Sequence, residues 1–211
     1  VYAYDKNGNL KTETHPVGNP GTQSETVTTT YTYDALNRQL GSSFPTINEL
    51  GQPATASVTR TLDWAGNPLM ETDAEGNVTT FAYDEQGRLL RKTNPEQGVT
   101  AFAYDLAGRK VGEVSPNHWL AGTPWNELNR KAYVYDLMGR VQQAQDVWFN
   151  PSDSQWETIV ASAFLYDANG NVTKKLDALG LATGTGLTFA QKAATGYGTE
   201  YTQSHKHISE P

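Results

Sequence analysis

The chain of 211 residues contains no cysteine, so no disulfide, cysteine-ligated metal or thiol nucleophile is available to it. It is equally poor in net positive charge. Sixteen Lys and Arg stand against 23 Asp and Glu, a formal charge of −7, which argues against nucleic acid as the main partner. No run of about 18 apolar residues occurs, so no membrane span is expected. Hydrophobic residues make up only 37%, too few for a thick packed core but suited to a thin sheet wetted on at least one face. Helical periodicity is scarce, and no Ser-His-Asp grouping, phosphate loop or pair of catalytic carboxylates stands apart. No catalytic residue, cofactor or resident metal is expected. There is no signal peptide, and Val1 rather than methionine opens directly into a repeat. A repeat array needs capped ends, so the expectation is a piece of a longer protein.

What the chain does have is a nine-residue unit. Phe81-Ala82-Tyr83-Asp84-Glu85-Gln86-Gly87-Arg88-Leu89 returns as Phe102-Ala103-Tyr104-Asp105-Leu106-Ala107-Gly108-Arg109-Lys110. Looser copies place their tyrosine position at Tyr4, Tyr33, Leu62, Tyr135 and Tyr166. Alternating apolar residues followed by Asp-x-x-Gly predict strand, turn, strand. The Asp suits the first position of a type I turn, where its carboxylate accepts an N–H two residues on. The Gly suits the left-handed position that completes a three-residue hairpin loop with a bulge. Asp5 with Gly8, Asp63 with Gly66, Asp84 with Gly87, Asp105 with Gly108, Asp136 with Gly139 and Asp167 with Gly170 are read as such turns. The remaining copy pairs Asp34 with Asn37, and Asn tolerates the left-handed region best after Gly. The Asp then faces Arg38, Arg88, Arg109 or Arg140, or else Asn9, Asn67 or Asn171. A motif present seven times is scaffold, not an active site.

A second turn alternates with the first at Asp73-Ala74-Glu75-Gly76, at Asn94-Pro95-Glu96-Gln97-Gly98 and at Asp177-Ala178-Leu179-Gly180. The expected fold is all-β: antiparallel hairpin repeats forming a ribbon that curls, since each strand pair adds twist. Residues 2–181 hold the repeats, interrupted by insertions at 13–30, 44–57, 115–130 and 146–158, of which 44–53 reads as a loop. Residues 124–130 suit one helical turn. Residues 182–211 form an irregular C-terminal segment, within which 187–194 fits a short helix or a strand equally well.

Tyr83-Asp84-x-x-Gly87-Arg88-Leu89, then Thr93-Asn94-Pro95, Gly98-Val99-Thr100 and Phe102-x-Tyr104-Asp105, resembles the YD repeat of Rhs proteins. That family includes bacterial polymorphic toxins, the BC component of Tc insecticidal toxins and the animal teneurins. The resemblance implies a hollow, solenoid-like β-shell that, in the toxins, encloses a C-terminal toxin domain. It implies a secreted or surface-exposed bacterial protein, with the rest of the same polypeptide as partner. The toxins of the family cut themselves at a motif resembling Asp-Pro-x-Gly-Leu. Asp177-Ala178-Leu179-Gly180-Leu181 lacks the proline and is read as another turn.

Outside the repeat, tryptophan is concentrated in two insertions: Trp119 and Trp125 in one, Trp148 and Trp156 in the other. Aromatics on β-loops stack on sugar rings, so these four are the candidate glycan-binding residues. The competing expectation is that neighbouring insertions pack together and bury them. The family's association with carbohydrate adds to the first expectation by resemblance alone. His205 and His207 share a strand face but lack a third metal ligand nearby. The leading expectation is a segment of a β-shell that encloses or presents a toxin domain. The alternative is an extracellular carbohydrate-binding or adhesion module.

Overall fold

The computed structural model describes residues 1–17, 25–177 and 199–200. It is all-β, as the period-two pattern predicts, with two single 3-10 turns at Pro116–His118 and Trp125–Glu127. The chain divides into two compact units, residues 1–99 and 100–211.

In the first unit the strands are β1 (Tyr2–Tyr4), β2 (Leu10–Val17), β3 (Glu25–Tyr33), β4 (Gln39–Ile47), β5 (Pro53–Leu62), β6 (Pro68–Thr72), β7 (Val78–Tyr83) and β8 (Leu89–Thr93). Neighbours in chain order pair antiparallel from β1–β2 through β7–β8. β3 shows why: Thr, Val and Tyr dominate it, and β-branched and aromatic side chains fit a pleated surface. In the second unit β9 (Val99–Tyr104), β10 (Lys110–Val114), β11 (Arg130–Tyr135), β12 (Val141–Asn150), β13 (Gln155–Tyr166), β14 (Val172–Asp177) and β15 (Thr199–Glu200) pair in the same manner.

Across the main turn Tyr83 lies opposite Leu89. One step further the pairing shifts. Ala82 is opposite Arg91, so Leu90 is passed over. The same single-residue step falls after Leu10, Gln39, Pro68, Lys110, Val141 and Val172, so every main hairpin carries a bulge within the strand as well as one in its loop.

Half of residues 44–53, expected as a loop, are strand. β4 and β5 run on as a ladder to Ile47 opposite Pro53, closed by a turn in which Gly51 donates to the carbonyl of Asn48 (2.9 Å). The punctuation by Pro45, Gly51 and Pro53 hides strand character that alternate residues still satisfy. Residues 146–158 likewise lie largely in β12 and β13, which pair out to Asn150 opposite Gln155. Residues 115–130 contain the two 3-10 turns, one of them within the predicted helical turn. The boundary at 181/182, the turn at 177–180 beyond Asp177, residues 187–194, and His205 and His207 all lie outside the described residues.

Burial is uneven. Among the described residues every buried apolar side chain belongs to the second unit: Ala101, Val114, Leu128, Val147, Ala163 and Leu176. Ala101, Val114 and Leu128 form one cluster with Trp119 and Trp125 packed against it.

Candidate functional site

The repeated turn is the most elaborately built local structure in the chain. At Asp84, Oδ1 accepts from the backbone N–H of Gln86 (3.0 Å) and of Arg88 (2.9 Å), while Oδ2 accepts from Arg88 Nε (2.6 Å). Asp34, Asp105 and Asp136 repeat this set with Arg38, Arg109 and Arg140. Where the partner is Asn, its Nδ2 takes the guanidinium's place, as at Asp5–Asn9, Asp63–Asn67 and Asp167–Asn171, each at 2.9 Å. The backbone closes the loop in each copy; Asp136 N–H donates to Arg140 O (2.9 Å) and Gly139 N–H to Asp136 O (3.0 Å). That geometry holds Gly139 at φ 78° and Asn37 at φ 62°. The sequence points to the N–H two residues on. It does not show the second N–H, four on, that the same oxygen accepts.

These bonds set the acidity of the turns. The Asn9 side chain, first among its causes, holds the Asp5 carboxyl below its ordinary value. The Arg38 and Arg140 backbone N–H groups lead in lowering Asp34 and Asp136. At Asp84 burial is the largest single influence and pushes upward, but the bonds from Arg88 outweigh it and the carboxyl is again lowered. Carboxylates kept ionised and saturated with donors are poor proton carriers, so the arrangement fits turn-clipping rather than acid–base chemistry.

The clips also reach their neighbours. Arg38 Nη1 donates to the carbonyl of Asp63 (3.0 Å), and Arg140 Nη1 to that of Asp167 (3.1 Å). The guanidinium of Arg109 lies over the Tyr135 ring at 4.8 Å, and that of Arg140 over Tyr166 at 4.5 Å. The tyrosine hydroxyls point back: Tyr33 donates to Leu10 O (2.9 Å), Tyr135 to Lys110 O (2.6 Å) and Tyr166 to Val141 O (2.6 Å). Where Asn9 replaces Arg, Asn7 Nδ2 and Asn9 Nδ2 both donate to Asn37 Oδ1 instead (2.9 and 2.8 Å). Asn37 is therefore a turn residue and a bridge between repeats. Sequence reasoning finds the first role only, because the second depends on side chains about thirty positions away.

The four tryptophans are separated by the structure. Trp119 and Trp125 pack on the Ala101–Val114–Leu128 cluster. Trp125 lies so close to Gly112 that a Cβ there would meet its Cζ2 at 2.6 Å. Arg130 fixes this segment by donating to the carbonyls of Leu128 (3.0 Å), Asn126 (3.4 Å) and Trp125 (3.5 Å). Trp156 stays partly exposed, with Phe149 at 5.6 Å and the Arg130 guanidinium at 5.8 Å. Trp148 borders a cleft of about 280 Å³ that it shares with Glu113, His118, Arg130, Lys131 and Asp146. Lys131 and Asp146 are paired across it at 3.3 Å. Among the described residues, no three His, Asp or Glu side chains are grouped to hold a metal, and no helix is long and apolar enough to cross a membrane.

Hairpins clipped by Asp and tied to their neighbours by Arg and Tyr define a repeat scaffold of antiparallel hairpins. Residues 65–99 and 83–118 each match the family model described as RHS Repeat, so the repeat over residues 65–118 is of the Rhs/YD type. The fold is shared with solved Rhs proteins. The crystal structure of TcdB2-TccC3-Cdc42 aligns with a TM-score of 0.51 at 19% identity, over 82% of this chain and 9% of that one. TcdB2-TccC3 aligns at 0.50 and 19%, over 80% of this chain and 9% of that one. TcdB2-TccC3 without its hypervariable C-terminal region aligns at 0.50 and 18%, over 83% and 10%. This chain thus spans about a tenth of the length of the structures it resembles. No curated protein matches it.

Proposed function

We propose that this chain is a stretch of wall from a secreted or surface-exposed bacterial Rhs shell. In this reading it encloses or presents a toxin or effector domain carried by the rest of its polypeptide. The observation that carries the proposal is the tie between repeats. Arg to the next turn's carbonyl, Arg over the next tyrosine, and Tyr back to the previous strand tie each repeat of the sheet to its neighbour. Such a sheet acts sterically. It shuts out proteases, and a largely polar face leaves an enclosed chain little apolar surface on which to fold. No residue of this chain is assigned a catalytic role. The test is protection of the C-terminal domain of the parent protein from added protease. Loosening this stretch with Leu176→Ala should expose that domain to cleavage, and a domain equally open in the unaltered parent rejects enclosure.

A second reading, glycan binding, is favoured by one observation: Trp148 stands in a cleft beside hydrogen-bond donors (Arg130, Lys131) and acceptors (Glu113, Asp146). Its residues would be Trp148 and Trp156, since Trp119 and Trp125 are engaged in packing. Titration with oligosaccharides that shows binding lost in Trp148→Ala supports it. A flat titration removes it.

A further inference from the structure

Two of the seven main turns carry Asn followed by Gly, as Asn7-Gly8 and Asn169-Gly170, and the chain has no other Asn-Gly pair. Asn before Gly is chemically reactive. Glycine has no side chain to shield its amide nitrogen, which can close a succinimide ring on the Asn side-chain carbonyl. The two pairs share one main-chain setting. Each Asn N–H donates to Oδ1 of its turn Asp, Asp5 or Asp167, at 2.9 Å. Each Gly N–H donates to the carbonyl of that Asp, at 3.2 Å for Gly8 and 3.1 Å for Gly170. Both Asn residues are exposed.

Their side-chain amides differ. Asn7 Nδ2 donates to Asn37 Oδ1 of the next main turn (2.9 Å), so the group that must rotate and depart is held in place. The Asn169 amide has no hydrogen-bond partner among the described residues. The attacking nitrogen is also released more easily at Gly170. The carbonyl it would leave, that of Asp167, keeps a second donor in Arg140 Nη1 (3.1 Å), whereas the Asp5 carbonyl accepts from Gly8 alone among the described residues.

We propose that Asn169 is a site of spontaneous covalent modification, whereas the tie to Asn37 protects Asn7 from the same reaction. The Gly170 nitrogen attacks Asn169 Cγ. The new N–Cγ bond forms as the Cγ–Nδ2 bond breaks, and ammonia leaves with the proton that Gly170 gives up. Water then opens the imide at either carbonyl, giving aspartate or isoaspartate. Isoaspartate lengthens the main chain by one methylene inside a turn closed by Asp167 N–H to Asn171 O (2.9 Å), and either product sets a second carboxylate near Asp167. The β13–β14 hairpin is thereby loosened with age at the end where Arg140 ties it to its neighbour.

The test is incubation of the whole 211-residue chain at mildly alkaline pH, sampled over days and digested for peptide mass mapping, with isoaspartate scored by enzymatic methylation. Asn169 should convert roughly three- to tenfold faster than Asn7, the factor that one side-chain hydrogen bond supplies. In guanidinium the two sites should convert at similar rates. Asn37→Gly, which keeps a residue suited to the left-handed position, should bring Asn7 up toward the rate of Asn169 and leave Asn169 unchanged. A folded chain in which Asn169 stays intact, or reacts no faster than Asn7, overturns the proposal. So does a difference that persists in guanidinium, or an Asn7 still protected in Asn37→Gly.

Discussion

The two compact units are built from one repeat and held together differently. The first unit contains four clipped main-turn hairpins and, among its described residues, no buried apolar side chain, so its cohesion lies in the strand ladder, the turn carboxylates and the links between repeats. Residues 100–211 use the same clips but add a small core. The segment 115–130 folds over the sheet, laying Trp119 and Trp125 on Ala101, Val114 and Leu128, and Leu176 is wholly enclosed. The repeat by itself specifies a sheet, and an insertion gives that sheet something to bury. One chain thus shows which part of stability belongs to the hairpin and which to the hydrophobic effect.

The largest expected test of this contrast is Leu176→Ala, which removes a fully buried side chain and should cost about 2–5 kcal/mol in urea unfolding. Val78→Ala in the first unit, where the side chain is 38% exposed, should stay within about 0.5 kcal/mol. Equal losses would dissolve the distinction. Next comes Gly112→Ala. Its Cβ would stand 2.6 Å from the Trp125 indole and 3.3 Å from Lys131 O, so the indole must move. A cost of about 1–3 kcal/mol is expected, with a red shift in tryptophan emission. Gly139→Ala, at φ 78°, should cost about 1–2 kcal/mol by thermal melting without any change in emission. Asn37→Gly should be milder. Relief of the left-handed strain offsets loss of the bonds from Asn7 and Asn9, and faster amide exchange near residues 7–9 is its signature.

The smallest effect per residue is that of acid, and it separates the units by number. Asp5, Glu13, Asp34, Asp63, Asp73 and Asp84 are lowered in the first unit, and Asp105, Asp136 and Asp167 in the second. A carboxyl whose folded value lies below its unfolded one, near 3.9 for Asp, stabilises fully above about pH 5 and loses that contribution as the pH falls through the folded value. Hydrogen exchange followed from pH 7 to pH 3 should therefore show residues 1–99 losing protection before residues 100–177. The reverse order would show that the clips contribute less than their geometry suggests.

Much of this was legible in the residues themselves. Period-two apolar spacing before Asp-x-x-Gly locates the strands and the main turns, and Asn37 in place of Gly already names the left-handed position. Three things were not legible. The ties from Arg140 to Asp167 and Tyr166 join positions 26 or 27 apart, so they exist only once the strands are in register. The ladder through 44–53 is masked by Pro45, Gly51 and Pro53, residues that ordinarily interrupt strands but are accommodated in this hairpin. The packing of Trp125 turns on Gly112, whose missing side chain makes room for the indole, whereas Trp148 borders a cleft. A glycine in mid-strand two residues before the buried Val114 was the available signal.

The extra residue passed over in each main hairpin has a consequence for how such a chain can change. Sliding one strand by a single position ordinarily turns its outward residues inward along its whole length. A joint that already houses one surplus residue, as at Leu90 or Val111, can take up such a slip on the spot. Hairpins can then be gained, lost or exchanged along the ribbon while the residues beyond each joint keep their sides, much as expansion gaps let a long rail be relaid one length at a time.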